Sequence, residues 1–259
     1  METEKQQKRV WPVVVALVLV AIAAGLYYWL KDQVNPTPPA ETAAPTKTEP
    51  AIRHPIQRTD SEGQPLPVLA ESDEALRDAG AGLIGMETLG RLFNANSIVR
   101  RVVVTIDNLP RQQVSQRYSL AKPVSGQLRV SGKGEALAMN ADNYRRYAAY
   151  VHLAESIDAQ KLVAAYIYFY PLFQEEYRNL GYPKKYFNDR VVEAIDDLLA
   201  APDLQPPIKL EQPKVLYQYA DSNLEALSAG QKIMIRIGPE NAARVKAKLK
   251  EIRQALIGS

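Results

Sequence analysis

A chain of 259 residues with 46% apolar and 24% charged residues has the composition of a folded protein of one or two domains, and a net charge of +3 is too modest for a dedicated nucleic-acid binder. The absence of cysteine excludes thiol chemistry and disulfides. With His54 and His152 the only histidines, no two-histidine metal site, histidine dyad or serine-histidine-acid triad is expected in the folded part, and no cofactor either.

Val10 to Leu30, VWPVVVALVLVAIAAGLYYWL, runs 21 residues without a charge. At about 1.5 Å of rise per residue, a helix of that length matches the roughly 30 Å core of a bilayer, so it reads as a transmembrane helix. Pro12 falls in its first turn, where a missing amide is harmless, and Trp11, Tyr27, Tyr28 and Trp29 suit the two interfaces. Ala21-Ile22-Ala23 also fits a signal-peptidase site, but cleavage there leaves Leu26-Tyr27-Tyr28-Trp29-Leu30 as an exposed apolar terminus, so an uncleaved signal-anchor is the better reading. Lys5, Lys8 and Arg9 precede the span whereas only Lys31 follows it closely. The positive-inside rule then puts residues 1–9 in the cytoplasm and everything after the span in the periplasm, on a single-pass protein of a bacterial inner membrane.

Residues 31–68 hold eight of the 18 prolines and few large apolar side chains apart from Ile52 and Ile56. Such a stretch cannot bury enough surface to fold and reads as a disordered, proline-rich linker, a spacer rather than a docking motif.

Residues 69–259 are expected to form a mainly α (α+β) domain. Ser72-Asp73-Glu74 reads as a helix start, and Gly80, Gly82, Gly85 and Gly90 predict a broken helical pair. The Gly80-Ala81-Gly82 to Gly85 spacing spells a dinucleotide fingerprint only superficially, because no strand precedes it. In Ser97 to Leu109 the β-branched residues favour a strand, but Ile98, Val102, Ile106 and Leu109 repeat at helical spacing, and helix is chosen. Gln127 to Ser131 and Glu135 to Met139 flank Gly132-Lys133-Gly134 as a β-hairpin. Asn140 or Asp142 is expected to cap a helix carrying Tyr144, Tyr147, Val151 and Ala154 on one face, and Asp158 to cap the next. Leu162 to Phe173 has no charge and predicts a helix buried all round, kinked at Pro171. A further helix should begin near Tyr186 and end at Ala201-Pro202. Ile208 to Leu210 and Val215 to Tyr219 suggest a short edge strand pair, and Pro239 opens a last helix reaching Leu256. That helix carries Arg244, Lys246, Lys248, Lys250 and Arg253 around an apolar seam, the pattern of a docked helix with a solvated face rather than a nucleic-acid surface.

Nine of the 14 tyrosines and three of the four phenylalanines fall between Tyr144 and Phe187, which marks a core or a binding groove. The polar rim of that region, Gln174, Tyr177, Asn188, Asp189 and Arg190, is the candidate binding site, weighed against a structural hydrogen-bond network. Glu175, Glu176, Asp189 and Glu193 are the candidate acid and base of a second reading, a hydrolase or binder of cell-wall glycan, because paired carboxylates beside tyrosines are what that chemistry uses. The alternative for these acids is the solvated face of two amphipathic helices, with Arg190 and Glu193 paired locally and Arg100-Arg101 available to others.

Tyr170-Pro171-Leu172-Phe173-Gln174, Leu180-Gly181-Tyr182-Pro183, Phe187-Asn188-Asp189-Arg190 and Leu227-Ser228-Ala229-Gly230-Gln231-Lys232 together resemble a bacterial family catalogued as a domain of unknown function. The similarity spans about Leu66 to Ile257 and takes in Asp107-Asn108-Leu109-Pro110-Arg111, Asn143 to Tyr147 and Gly238-Pro239-Glu240-Asn241. The resemblance implies a proteobacterial envelope protein with one N-terminal anchor and supplies no activity, fold or catalytic residue. The expectation is a membrane-tethered periplasmic domain that binds another envelope protein, with peptidoglycan as the other possible partner and no nucleic acid.

Overall fold

The structure is a computed structural model that describes residues 51–56, 66–113 and 116–258. The expected cytoplasmic segment, transmembrane stretch and linker up to residue 50 lie outside the described residues, as do 57–65. Among the described residues no helix is long and apolar enough to cross a membrane.

One 3-10 turn, Leu69–Glu71, leads into α1 (Ser72–Ile84). Ser72 is buried and its hydroxyl donates to the Leu69 carbonyl (2.8 Å), so it ties the turn before the helix instead of capping the helix itself. Asp73 acts at a distance. Its carboxylate accepts the amides of Ser97 (2.6 Å) and Ile98 (2.7 Å), and thereby caps α3 (Ile98–Asn108). The broken helical pair is present: Gly85, at φ +81°, separates α1 from α2 (Met86–Leu92), while Gly80, Gly82 and Gly90 lie inside the two helices.

Helical period wins over β propensity in α3, because Ile98, Val99, Val103 and Val104 bury one face against the core. Asn108 closes it by donating to the Val104 carbonyl (2.7 Å) before Pro110. After a 3-10 turn at Gln116–Tyr118, β1 (Val130–Ser131) and β2 (Ala138–Met139) pair antiparallel, with Val130 opposite Met139. The hairpin stands where expected but is shorter, since a 3-10 turn at Gly134–Ala136 uses up the residues of its second arm. Gly132, at φ +77°, admits no side chain because a Cβ would lie 2.1 Å from the Ala136 carbonyl oxygen.

The helix expected after Asn140 is two: α4 (Asp142–Arg145) and α5 (Ala148–Ser156). Asn140 accepts the Asp142 amide (2.8 Å), and the buried Asn143 clasps Arg129 through both its amide (2.9 Å) and its carbonyl (2.6 Å). Asp158 caps α6 (Ala159–Asn179) by accepting the Lys161 amide (2.9 Å). The helix continues through Pro171, and it is not buried all round: Ala164 and Pro171 lie on a solvent-facing side. Gly181, at φ +108°, turns the chain into α7 (Phe187–Leu199).

Beyond α7, β3 (Leu210–Glu211) and β4 (Gln218–Tyr219) form the second antiparallel pair, tied to the first where Met139 donates to Ile208 (2.9 Å) and Leu210 to Leu137 (2.9 Å). α8 (Ser222–Glu225), α9 (Ala229–Ile237) and α10 (Pro239–Ile257) complete the chain. The main core joins Val99 and Val103 of α3, Phe169, Phe173 and Tyr177 of α6, Phe187, Val191 and Ile195 of α7, and Leu256 of α10. A smaller cluster of Met139, Ile208, Leu210, Tyr219 and Ile235 underlies the strands. The architecture is therefore mainly helical with two small strand pairs.

At Gly238, φ is +91° and a Cβ would come within 2.5 Å of the Tyr144 ring. Gly238→Ala is expected to lose about 1–3 kcal/mol of stability, since it meets both a left-handed backbone and a ring packed in a second cluster. Gly82 sits inside α1 with nothing within 4 Å of an added Cβ, so Gly82→Ala should gain up to about 1 kcal/mol. Chemical denaturation of the pair checks both signs.

Candidate functional site

The polar rim is where α6 ends and α7 begins, and its groups are spent on holding those ends together. The Gln174 side-chain oxygen accepts the Tyr170 hydroxyl (2.8 Å) and the Phe187 amide (2.8 Å), while its nitrogen donates to the Lys185 carbonyl (2.9 Å). One buried side chain thus satisfies a free amide in the first turn of α7 and fixes the turn leading into it. Tyr177 stacks on Tyr182 with ring centroids 4.6 Å apart and packs on Phe187 at 5.2 Å. Burial, helped by the nearby negative charge of Asp107, pushes its hydroxyl up to about 12.

Asn188 and Asp189 hold a piece of the chain that composition alone assigns to the linker. Asn188, 1% exposed, accepts the Tyr166 hydroxyl (3.2 Å) and donates to the His54 carbonyl (2.9 Å). Asp189 accepts the backbone amides of Arg53 (3.2 Å) and His54 (2.8 Å), and the Tyr186 hydroxyl accepts that of Ile56 (2.9 Å). Ile56 packs against the main core. A segment with no ladder of its own must find partners for its backbone, and three side chains at the start of α7 supply them. Residues 51–56 are thus part of the folded unit, which a composition-based linker boundary at 68 conceals.

Arg190 faces the other way. Its Nε lies 3.2 Å from Asp107 Oδ1, an ion pair without hydrogen-bond alignment, its Nη2 donates to the Asp107 carbonyl, and its Nη1 pairs with Glu193 at 2.8 Å. Asp107, buried near the end of α3, also accepts from Arg111 (2.7 Å) and from the Tyr182 hydroxyl (3.3 Å). This carboxylate is the central group of the rim, although in the sequence Asp107 stands out only as part of the Asp107 to Arg111 motif. The signal is its place four residues after the buried Val103 and four before Arg111, which sets an acid on the apolar face with a base one turn away.

The four candidate acids do not converge. Glu175 is exposed, and the buried Glu176 lies 3.8 Å from Arg100, the kind of pairing expected of Arg100-Arg101. Asp189 and Glu193 line a shallow polar pocket of about 450 Å³ with Asp196, Asp197, Arg53 and His54. Each acid there already has a partner: Asp189 the two amides, Glu193 Arg190, Asp196 Arg253 (2.5 Å), and Asp197 the Ser228 hydroxyl (2.6 Å). Burial pushes the Asp197 carboxyl up, while the Ser228 bond and the charge of Arg190 pull the other way. Ser228 also caps α9 by accepting the Gln231 amide (3.0 Å), so Asp197 joins α7 to α9. Among the described residues no cluster of His, Cys, Asp or Glu is placed to hold a metal ion.

Four of the five basic residues of α10 are tied into the domain in the same way. Arg244 pairs with Glu155, Lys246 with Asp203 (2.7 Å) and Arg253 with Asp196, and Lys248 donates to the Ile157 carbonyl (3.0 Å). A second space of similar size is apolar. A cavity of about 450 Å³ runs between α1, α3, α6 and α10, lined by residues such as Leu83, Val102, Ile106, Leu162, Phe169 and Ile252.

A family model described as a protein of unknown function (DUF3014) matches residues 98–253, more than half of the chain. No curated protein and no solved structure matches it.

Asp189→Ala should release the 53–56 segment, so that the amides of Arg53, His54 and Ile56 exchange hydrogen at least about tenfold faster while those of α6 keep their protection. Hydrogen exchange with peptide-level readout measures this. Tyr177 gives a pH signature. Its hydroxyl titrates higher in the folded chain than its ordinary value of 10.0, so its contribution is whole below pH 10 and is lost as pH rises through about 12. Stability of Tyr177→Phe should therefore fall less steeply across that window than that of the unsubstituted protein, as read by urea titrations at each pH.

Proposed function

The chain belongs to the DUF3014 family, and from that premise we propose that it is a non-enzymatic, membrane-anchored periplasmic domain that binds another protein of the cell envelope. The observation that carries the non-enzymatic part is the engagement of the rim: Gln174, Asn188, Asp189 and Arg190 spend their polar atoms on Phe187, His54, Arg53 and Asp107. An acid–base catalyst has to come within hydrogen-bond reach of a substrate proton, and the carboxylates of the rim are already engaged by backbone amides and a guanidinium group. The tether rests on the 21 uncharged residues of Val10 to Leu30, and its direction on Lys5, Lys8 and Arg9 before them.

Glu175 and Glu176 lie away from the pocket shared by Asp189 and Glu193, which leaves those two as the carboxylates of the glycan-acting reading, and both are engaged within the chain. A retaining or inverting glycosidase needs its two carboxyls facing each other about 5–9.5 Å apart.

A periplasm-dependent reporter enzyme fused after Ser259 should be active, and a cytoplasm-dependent one silent; the reverse would sink the topology. Crosslinking the full chain in its native membrane should recover one reproducible protein partner. Glu175→Gln, Glu176→Gln and Glu193→Gln should leave cellular function unchanged, whereas loss of function together with cleavage of peptidoglycan by the unsubstituted protein would turn the assignment to an enzyme.

A further inference from the structure

We propose that the apolar cavity between α1, α3, α6 and α10 is a binding site for a single unbranched hydrocarbon chain, the acyl chain of a lipid or fatty acid, with its headgroup left outside. The walls come from helices distant in sequence: Leu83 on α1, Val102 and Ile106 on α3, Leu162 on α6 and Ile252 on α10 remain half-buried around it, while Phe169, Val191 and Ile195 are buried at its lining. The two polar side chains that reach the lining are already satisfied elsewhere. Asn94 donates to the Ser119 carbonyl (3.0 Å) and the Tyr166 hydroxyl to Asn188 (3.2 Å). A ligand with polar groups along its length would have to give up water for nothing, and an aliphatic chain gives up nothing.

Volume decides between a chain and a protein occupant. About 450 Å³ falls within the usual range for ligand pockets, roughly 300–1,000 Å³. An α-helix with its side chains is about 10–12 Å across, so a cylinder of that width fills the space within about one turn. No useful length of helix fits, whether from a partner or a second copy. A hydrocarbon chain is much thinner: at about 30 Å³ per small group, close to the liquid volume of a water molecule, the cavity holds on the order of fifteen groups in line.

The test uses the full-length protein and a hexadecanoic acid carrying a photoreactive diazirine near its tail, in parallel with a phosphatidylethanolamine bearing the same chain. Saturable labelling of peptides from α1, α6 and α10, displaced by unlabelled hexadecanoic acid, is expected from at least one probe, and the probe that labels identifies the source of the chain. Ala165→Trp places an indole in the lining and should lower that labelling at least tenfold with an unchanged thermal midpoint. If that variant does not fold, the displacement by unlabelled acid decides. Labelling confined to residues 10–30, labelling that does not saturate, or equal labelling of a folded Ala165→Trp protein overturns the proposal. So does Ala165→p-benzoylphenylalanine crosslinking to residues 10–30 or to a second copy, since a protein segment would then fill the cavity.

Discussion

The domain depends on one buried negative charge. Asp107 lies at the end of α3, where burial would be prohibitive without partners, and it is surrounded by Arg190 from α7, Arg111 from the following turn and the Tyr182 hydroxyl from the α6–α7 connection. A charge in that position forces its neighbours into register. With Arg190 aimed at Asp107, the first turn of α7 presents Asn188 and Asp189 on its other side, where they meet Arg53 and His54. Gln174 then closes the gap between α6 and the Phe187 amide. The polar groups form an internal joint around an aromatic core of Tyr177, Tyr182 and Phe187.

This arrangement redistributes where function can reside. A polar rim at the end of a tyrosine-rich helix has the appearance of a ligand site in sequence, but Gln174, Asn188, Asp189 and Arg190 all bond within the chain. The segment 53–56 is itself one of the bound elements, held at the start of α7. The apolar lining between α1, α3, α6 and α10 is built from side chains that resemble ordinary core residues when taken one at a time. An apolar ligand is more readily accounted for by that lining than by the rim.

Sequence was most informative where one physical signal dominated. The periodicity of Ile98, Val102 and Ile106 outweighed their β-branching, and α3 is a helix; Asp158 and Pro239 marked helix starts because capping and fixed φ are local properties. Signals that depend on tertiary context were harder to read. Ser72 looked like a cap and serves the preceding turn, while the cap of α3 comes from Asp73, 24 residues before Ser97. Composition placed Arg53 to Ile56 in a linker, because four residues docked by side chains at the start of α7 leave no pattern of their own. The rim residues stood out in sequence as a candidate binding site, whereas the joint they form centres on Asp107, whose burial no local pattern makes obvious. The cavity was invisible for the same reason: a helix lining a void and one packed on a neighbour share a single hydrophobic period.

The central claim is that the rim is a structural joint built on Asp107, and a double-mutant cycle tests it most directly. Asp107→Asn, Arg190→Met and the pair would be unfolded in urea at neutral pH. A joint predicts that each single change costs about 3–5 kcal/mol, because the remaining charge is left buried, and that the pair costs less than the sum by more than about 1 kcal/mol. If the single changes leave stability unchanged or raise it, the two residues are held for something other than the fold, and the account of the rim is wrong.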